Sequence, residues 1–227
     1  MIVIIGANAA INRQIIPFLG DSEVIVIGRS EPEYFHEFKE MGKDIKFYFT
    51  DYLNANKVLT DLSDTNSVSV IFAGIFSTPA LIIDLNSEKI RNELISNLEF
   101  SILVTTLLLP KMISSGFGRF IFLGSKESSR GVPGGGMYSI IKEAQSGLSR
   151  TIAVEYAKFG ITSNVLRLGL LAKGYSEKLP KKEIDKLRTR IPTSEILSYK
   201  DIANQILVLI GSPSINGAII DIDQATR

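Results

Sequence analysis

The stretch Ile2-Val-Ile-Ile5-Gly6-Ala-Asn8-Ala-Ala10-Ile11-Asn12-Arg13 sets the reading of the whole chain. Four consecutive apolar residues make a strand with no polar face. A glycine follows at once, and after it a helical stretch is expected over Ala9–Phe18. Strand, tight turn and helix in that order open a parallel α/β unit. A glycine at such a turn lets backbone N–H groups meet a phosphate at the helix N-terminus. Only one glycine is present here, and Ala10 and Asn12 stand where a full dinucleotide fingerprint has two more. Taken alone, the turn does not distinguish a nucleotide site from an ordinary connection.

The same alternation runs on to the C-terminus. Short runs rich in Val, Ile and Phe lie at Glu23–Ile27, Ile45–Phe49, Val68–Phe72, Arg119–Leu123, Thr162–Leu166 and Ala218–Ile222. Helical stretches are expected at Pro32–Met41, Asn54–Leu62, Ser87–Ser114, Met137–Lys158 and Lys200–Leu209. Uninterrupted apolar strands spaced by helices mean a parallel sheet buried on both faces. The fold class is α/β, a doubly wound parallel sheet of about seven strands in one domain spanning 1–227. Ligands of such sheets bind at the carboxyl ends of the strands. Arg29 and Ser30 follow the second strand, Asp51 the third, and Ala73-Gly74 the fourth.

Composition removes several function classes. The 227 residues carry a formal net charge of +1, which offers nothing to nucleic acid or a membrane surface. Cysteine is absent, so there is no thiol nucleophile and no zinc–thiolate site. The single histidine, His36, cannot build a multi-histidine metal site, and it reads as a helix-surface residue. No metal site is expected. No apolar run reaches the ~18 residues needed to span a bilayer. The N-terminus lacks the basic flank of a signal peptide, so cytoplasmic residence is expected.

Tyr138-Ser-Ile-Ile-Lys142 follows the Gly/Pro loop Gly131-Val-Pro-Gly-Gly-Gly136. Tyr138 and Lys142 are four apart, so on a helix they share a face one turn apart. An ammonium beside a phenol favours the phenolate and lowers its pKa. The pair is therefore a proton-transfer device in prospect. Its bland alternative is a surface Tyr and a solvated Lys. Asn97 sits among apolar neighbours in mid-helix, either as a satisfied core amide or as an amide facing a site.

In these features the chain resembles the short-chain dehydrogenases/reductases, from Ile2 to about Asp223. Tyr138-x-x-x-Lys142 is similar to the family's signature pair. Ser125, thirteen positions before Tyr138, matches its catalytic serine, and Asn97 in Ser96-Asn-Leu98 its catalytic asparagine. Tyr156-Ala-Lys-Phe-Gly-Ile-Thr-Ser-Asn164, Asp201-Ile-Ala-Asn204 and Gly211-Ser-Pro213 resemble later family passages. The resemblance implies a Rossmann-type fold and an NADP(H)-dependent oxidoreductase that interconverts a carbonyl and a secondary alcohol by hydride transfer. It implies Tyr138 as general acid/base, with Lys142 lowering its pKa and holding the nicotinamide ribose. Ser125 would orient the substrate, and Asn97 would fix a water leading from Lys142 to solvent. Gly6, Asn8, Ile11, Arg29, Ser30, Asp51, Ala73, Gly74, Tyr138, Lys142, Gly169 and Leu171 would line the cofactor. With no acidic residue at 28–30, Arg29 favours NADP over NAD. Pairing through the two long helices implies a homodimer or homotetramer.

The chain also departs from the family pattern. Ala10 and Asn12 replace glycines, Phe72 an asparagine, Leu168 a proline, and Gln224-Ala225 a glycine pair. The methyl of Ala10 is expected to crowd the pyrophosphate, and Asn12 to push the first helix off the sheet. A second reading is therefore a nucleotide-binding member without turnover, acting as a sensor or interaction module. Residues 170–190, where the family builds its substrate lid, hold seven basic against three acidic side chains. That excess reads either as a solvated amphipathic helix or as attraction for an anionic small-molecule substrate.

Overall fold

The computed structural model describes residues 1–50, 67–74, 77–172 and 180–226. The strands among them are β1 (Ile2–Ile5), β2 (Val24–Gly28), β3 (Ile45–Phe49), β4 (Ser69–Phe72), β5 (Gly118–Ser125), β6 (Ile161–Leu168) and β7 (Ile219–Ile222). They form one sheet in the order β3-β2-β1-β4-β5-β6-β7, and every neighbouring pair is parallel. The strand order reverses between β1 and β4, which register Ile5 against Phe72. That reversal opens a crevice at the strands' carboxyl ends.

The helices among the described residues are α1 (Ala10–Ile15), α2 (Tyr34–Glu40), α3 (Ser87–Glu93), α4 (Phe100–Ser115), α5 (Lys126–Arg130), α6 (Gly136–Tyr156), α7 (Lys181–Arg188) and α8 (Tyr199–Gly211). Because side chains alternate along a strand, β1 feeds two cores. Ile2 and Ile4 meet Ile15 of α1, Phe38 of α2 and Ile206 of α8 on one face. Val3 and Ile5 meet Val104 and Leu108 of α4 and Ile152 of α6 on the other. The helix expected at Asn54–Leu62 lies outside the described residues.

The helix expected over Ser87–Ser114 is present as one run over Ser87–Ser115, with a π-helical segment inside it. Between α3 and α4, Leu94–Glu99 form a π-turn, and Asn97 lies inside it. By length and composition alone, Ser87–Ser115 could cross a bilayer, which the count of unbroken apolar runs did not register. Its apolar stripe Val104, Leu108 and Met112 is instead buried against the sheet. Phe72, in the asparagine position, stacks on Phe122 of β5 at 4.4 Å between ring centroids.

Candidate active site

β5 carries Ser125 to the carboxyl edge of the sheet, where it also opens α5. The strand runs two residues further than its apolar core Phe120–Leu123 suggests. α6 then lays Tyr138 beside it, near enough for the Ser125 hydroxyl to favour the phenolate. Ser128 of α5 donates to the Ser125 carbonyl at 2.7 Å and to Glu143 of α6 at 2.9 Å. These bonds tie the serine's turn to the helix that carries the tyrosine.

One turn along α6, Lys142 is buried, and its Nζ donates to the Leu123 carbonyl at 2.6 Å. Burial pushes its pKa down to about 8. The expectation that Lys142 lowers the Tyr138 pKa is corrected here. The Tyr138 phenol is pushed up, chiefly by burial, with the Glu127 carboxylate adding and Ser125 opposing. Burial of the phenol, not the charge of Lys142, sets the direction of the shift. A buried charge is costly unless bonded, and the carbonyl is the partner supplied.

Asn97 is buried and donates from Nδ2 to the Glu93 carbonyl at 2.7 Å. Its own carbonyl accepts from Ser101 at 2.6 Å, and Ser101 accepts from Gln145 of α6 at 2.9 Å. The π-turn and the Tyr138–Lys142 helix are thus linked by side chains. Glu93, also buried, accepts from the Ser77 hydroxyl at 2.9 Å and the Thr78 N–H at 3.0 Å. Gln145, Ser101 and Glu93 were not singled out from sequence. Polar residues at buried helix positions were the available signal.

Of the expected cofactor residues, Gly6 and Gly74 meet at the crevice. Gly6 takes φ +99°, and a Cβ there would stand 3.3 Å from the Gly74 nitrogen, so the ends of β1 and β4 meet closely. The Ile11 side chain is buried in the core, which leaves only its backbone for a ligand. Ala73 is buried. Arg29 and Ser30 are exposed, and Asn8 donates to the Ser30 hydroxyl at 2.7 Å. A Cβ on Gly169 would lie 2.8 Å from the Asp223 Cα, so this strand end also needs glycine. Leu171 pairs with Leu197 in a short parallel bridge. Asp51 lies outside the described residues.

Asn12 does not push α1 off the sheet, since Ile11 and Ile15 of that helix stay in the core. Fully buried, it donates to the Gly6 carbonyl at 2.8 Å and the Ala7 carbonyl at 3.2 Å. Gln224 and Ala225, in the glycine-pair positions, adopt the left-handed φ values of 52° and 58° that glycines there would take. Beside the turn a cleft of about 440 Å³ is lined by Asn8, Ala9, Ala10, Arg13, Pro32 and Tyr34, among others. A closely approached glycine turn beside an open cleft fits a nicotinamide dinucleotide. His36 is exposed and pairs with Glu31 at 2.8 Å, away from this chemistry.

Comparison with known proteins agrees with this fold. A family model described as Enoyl-(Acyl carrier protein) reductase matches residues 56–224. The chain is 26% identical over 215 residues to 3-oxoacyl-(acyl-carrier-protein) reductase FabG of Haemophilus influenzae, covering 91% of this chain and 88% of that one. It is 31% identical over 144 residues to carbonyl reductase family member 4 of Xenopus tropicalis, covering 63% and 60%. Actinorhodin polyketide ketoreductase, solved with NADPH, superposes with a TM-score of 0.86 at 20% identity, covering 100% of this chain and 97% of that one. ElxO with NADP bound gives 0.84 at 20% identity, covering 99% and 97%. At these identities the structural likeness carries the fold.

Proposed function

We propose, from the premise that this chain belongs to the short-chain dehydrogenase/reductase family, that it reduces a ketone to a secondary alcohol with NADP(H), using Tyr138 as general acid/base. The observation that carries the reading is that Ser125 ends β5 while Tyr138 and Lys142 lie one turn apart on α6, with Lys142 tied to the Leu123 carbonyl of that strand at 2.6 Å; burial raises the Tyr138 pKa. A protonated phenol is a proton donor, which suits reduction. Ser125 orients the carbonyl oxygen by a hydrogen bond. Tyr138 delivers its proton to that oxygen as negative charge develops there. Nicotinamide, when bound, supplies or accepts the hydride. Gly6, Asn8, Gly74 and Gly169 would hold the dinucleotide by close backbone approach, Lys142 by donation to the ribose, and Arg29 and Ser30 by contact with a 2′-phosphate.

Relatives named for 3-oxoacyl groups and for carbonyls support a ketone substrate. We take 170–190 as the lid over it. Between 181 and 190 the sequence holds five basic residues, Lys181, Lys182, Lys186, Arg188 and Arg190, against two acidic ones, Glu183 and Asp185. That balance supports an anionic group on the substrate. The reading includes a homodimer or homotetramer in the cytoplasm. Ile102 on α4 is 42% exposed, and Ile140 and Val154 on α6 are 51% and 83% exposed. These are the two helices through which the resembling family pairs.

The experiment is a panel of ketones, 3-oxoacyl thioesters included, followed by loss of reduced-nicotinamide absorbance. Turnover with NADPH is expected. Tight cofactor binding with no turnover across the panel would favour the non-catalytic alternative.

A further inference from the structure

The turn that receives the cofactor lacks two glycines, yet its backbone is pinned from two helices. Asn12 of α1 donates to the Gly6 and Ala7 carbonyls, and the Tyr34 phenol of α2 donates to the same Ala7 carbonyl at 2.6 Å. Both lone pairs of that oxygen are therefore used. The Gly6 and Ala7 N–H groups both donate to the Ile27 carbonyl, at 3.0 and 3.1 Å. A trans peptide is planar, so its N–H points away from its C=O. Drawing the Ala7 carbonyl inward turns the Asn8 N–H outward, towards the cleft that Asn8 lines. The Asn8 side chain then reaches the Ser30 hydroxyl at the end of β2.

We infer that Asn12 and Tyr34 are positioning residues for cofactor binding, holding the Ala7–Asn8 peptide so that Asn8 faces the dinucleotide. The inference rests on the dinucleotide reading above. It explains how a turn with one glycine keeps the needed shape: hydrogen bonds replace conformational freedom. It also explains two costs. Asn12 Oδ1 is buried with no hydrogen-bond partner among the described residues, which is unfavourable for an amide oxygen. Tyr34 is buried, and a phenylalanine would fill that volume without needing a partner for its oxygen.

The test is titration of NADPH and of NADH, read by nicotinamide fluorescence, on wild type, Tyr34→Phe, Asn12→Ala and the double variant. Each single substitution is expected to raise both dissociation constants by the same factor, roughly five- to tenfold. The double variant should lose less than the product, because both side chains hold one oxygen. The KM for cofactor should follow Kd, while kcat falls less than twofold to threefold. Should Asn12→Ala fail to fold, Tyr34→Phe decides, since it keeps the ring. A Tyr34→Phe protein that binds both cofactors like wild type, with only a lower Tm, reduces the pair to structural filler and overturns the inference. Wild type that binds neither cofactor overturns the dinucleotide reading, and this inference with it.

Discussion

The Lys142 ammonium donates to the backbone carbonyl of Leu123, two residues before Ser125, at 2.6 Å. The lysine is thereby tied to the strand that carries the serine, while its own helix carries the tyrosine. One buried bond spans the two halves of the site. It also makes the site's stability depend on pH in a definite sense.

Burial lowers the Lys142 pKa from 10.5 to about 8 in the folded chain. Below pH 8 both folded and unfolded chains hold the proton, so folding bears the whole burden of burying it. Between about 8 and 10.5 the unfolded chain binds more protons, and this group's contribution to stability rises with pH. Above 10.5 both forms are neutral and the burden is gone. Lys142→Met should therefore differ from wild type in a pH-dependent way, its relative stability falling across that window. Denaturant melts at several pH values measure it, and a pH-independent difference would contradict a lowered pKa.

Tyr138→Phe removes one oxygen and keeps the ring. A loss in kcat of ~10²–10⁴-fold is expected, with cofactor affinity nearly intact. Wild-type turnover by the purified variant would rule out Tyr138 as the proton donor.

Arg29→Ala should weaken NADPH binding about ten- to hundredfold and leave NADH nearly unchanged, since one charge-assisted bond is worth roughly 1.5–3 kcal/mol. Equal weakening of both would mean that Arg29 serves a part of the cofactor common to both, such as the adenine ring.

Gln224 and Ala225 sit consecutively in the left-handed region. That conformation costs an ordinary residue roughly 1–2 kcal/mol, against about 0.5–1 for the added freedom of an unfolded glycine. Gln224→Gly and Ala225→Gly should each stabilise by up to about 1 kcal/mol in chemical denaturation. Destabilisation by both would show that the turn is unstrained.

Sedimentation should show a species of two or four times 25.0 kDa. Val154→Glu, on the exposed face of α6, should shift it towards monomer without lowering Tm much. A monomer at micromolar concentration in wild type would count against the pairing.

The sheet was legible because strands buried on both faces are apolar throughout, and Ile2–Ile5 and Ile45–Phe49 match residue for residue. α5 was not, because Lys126-Glu-Ser-Ser-Arg130 has no apolar period and is held by the Ser128 bonds. The spacing of Tyr138 and Lys142 revealed a shared helix face but not which partner each finds across it. Lys142 meets a carbonyl 19 residues away, and the tyrosine's shift is set chiefly by burial, neither of which can be read from i,i+4 spacing. The role of Asn12 was hidden for a similar reason: a side chain in a glycine position suggests a clash until the carbonyls it bonds are visible.

The π-turn at Leu94–Glu99 makes this region sensitive to chain length as well as to chemistry. Such a turn contains one more residue than the α-helical turn it replaces. Deleting one residue there would leave an ordinary α-helical turn and keep Ser87–Glu93 in phase with Phe100–Ser115, which is fixed to the sheet by Val104, Leu108 and Met112. The Glu93 carboxylate would then keep its place opposite Ser77 and Thr78. A second deletion would find no extra residue to absorb it and would rotate Ser87–Glu93 by about 100° against the sheet-bound segment. The turn thus acts as one residue of slack in helix phase.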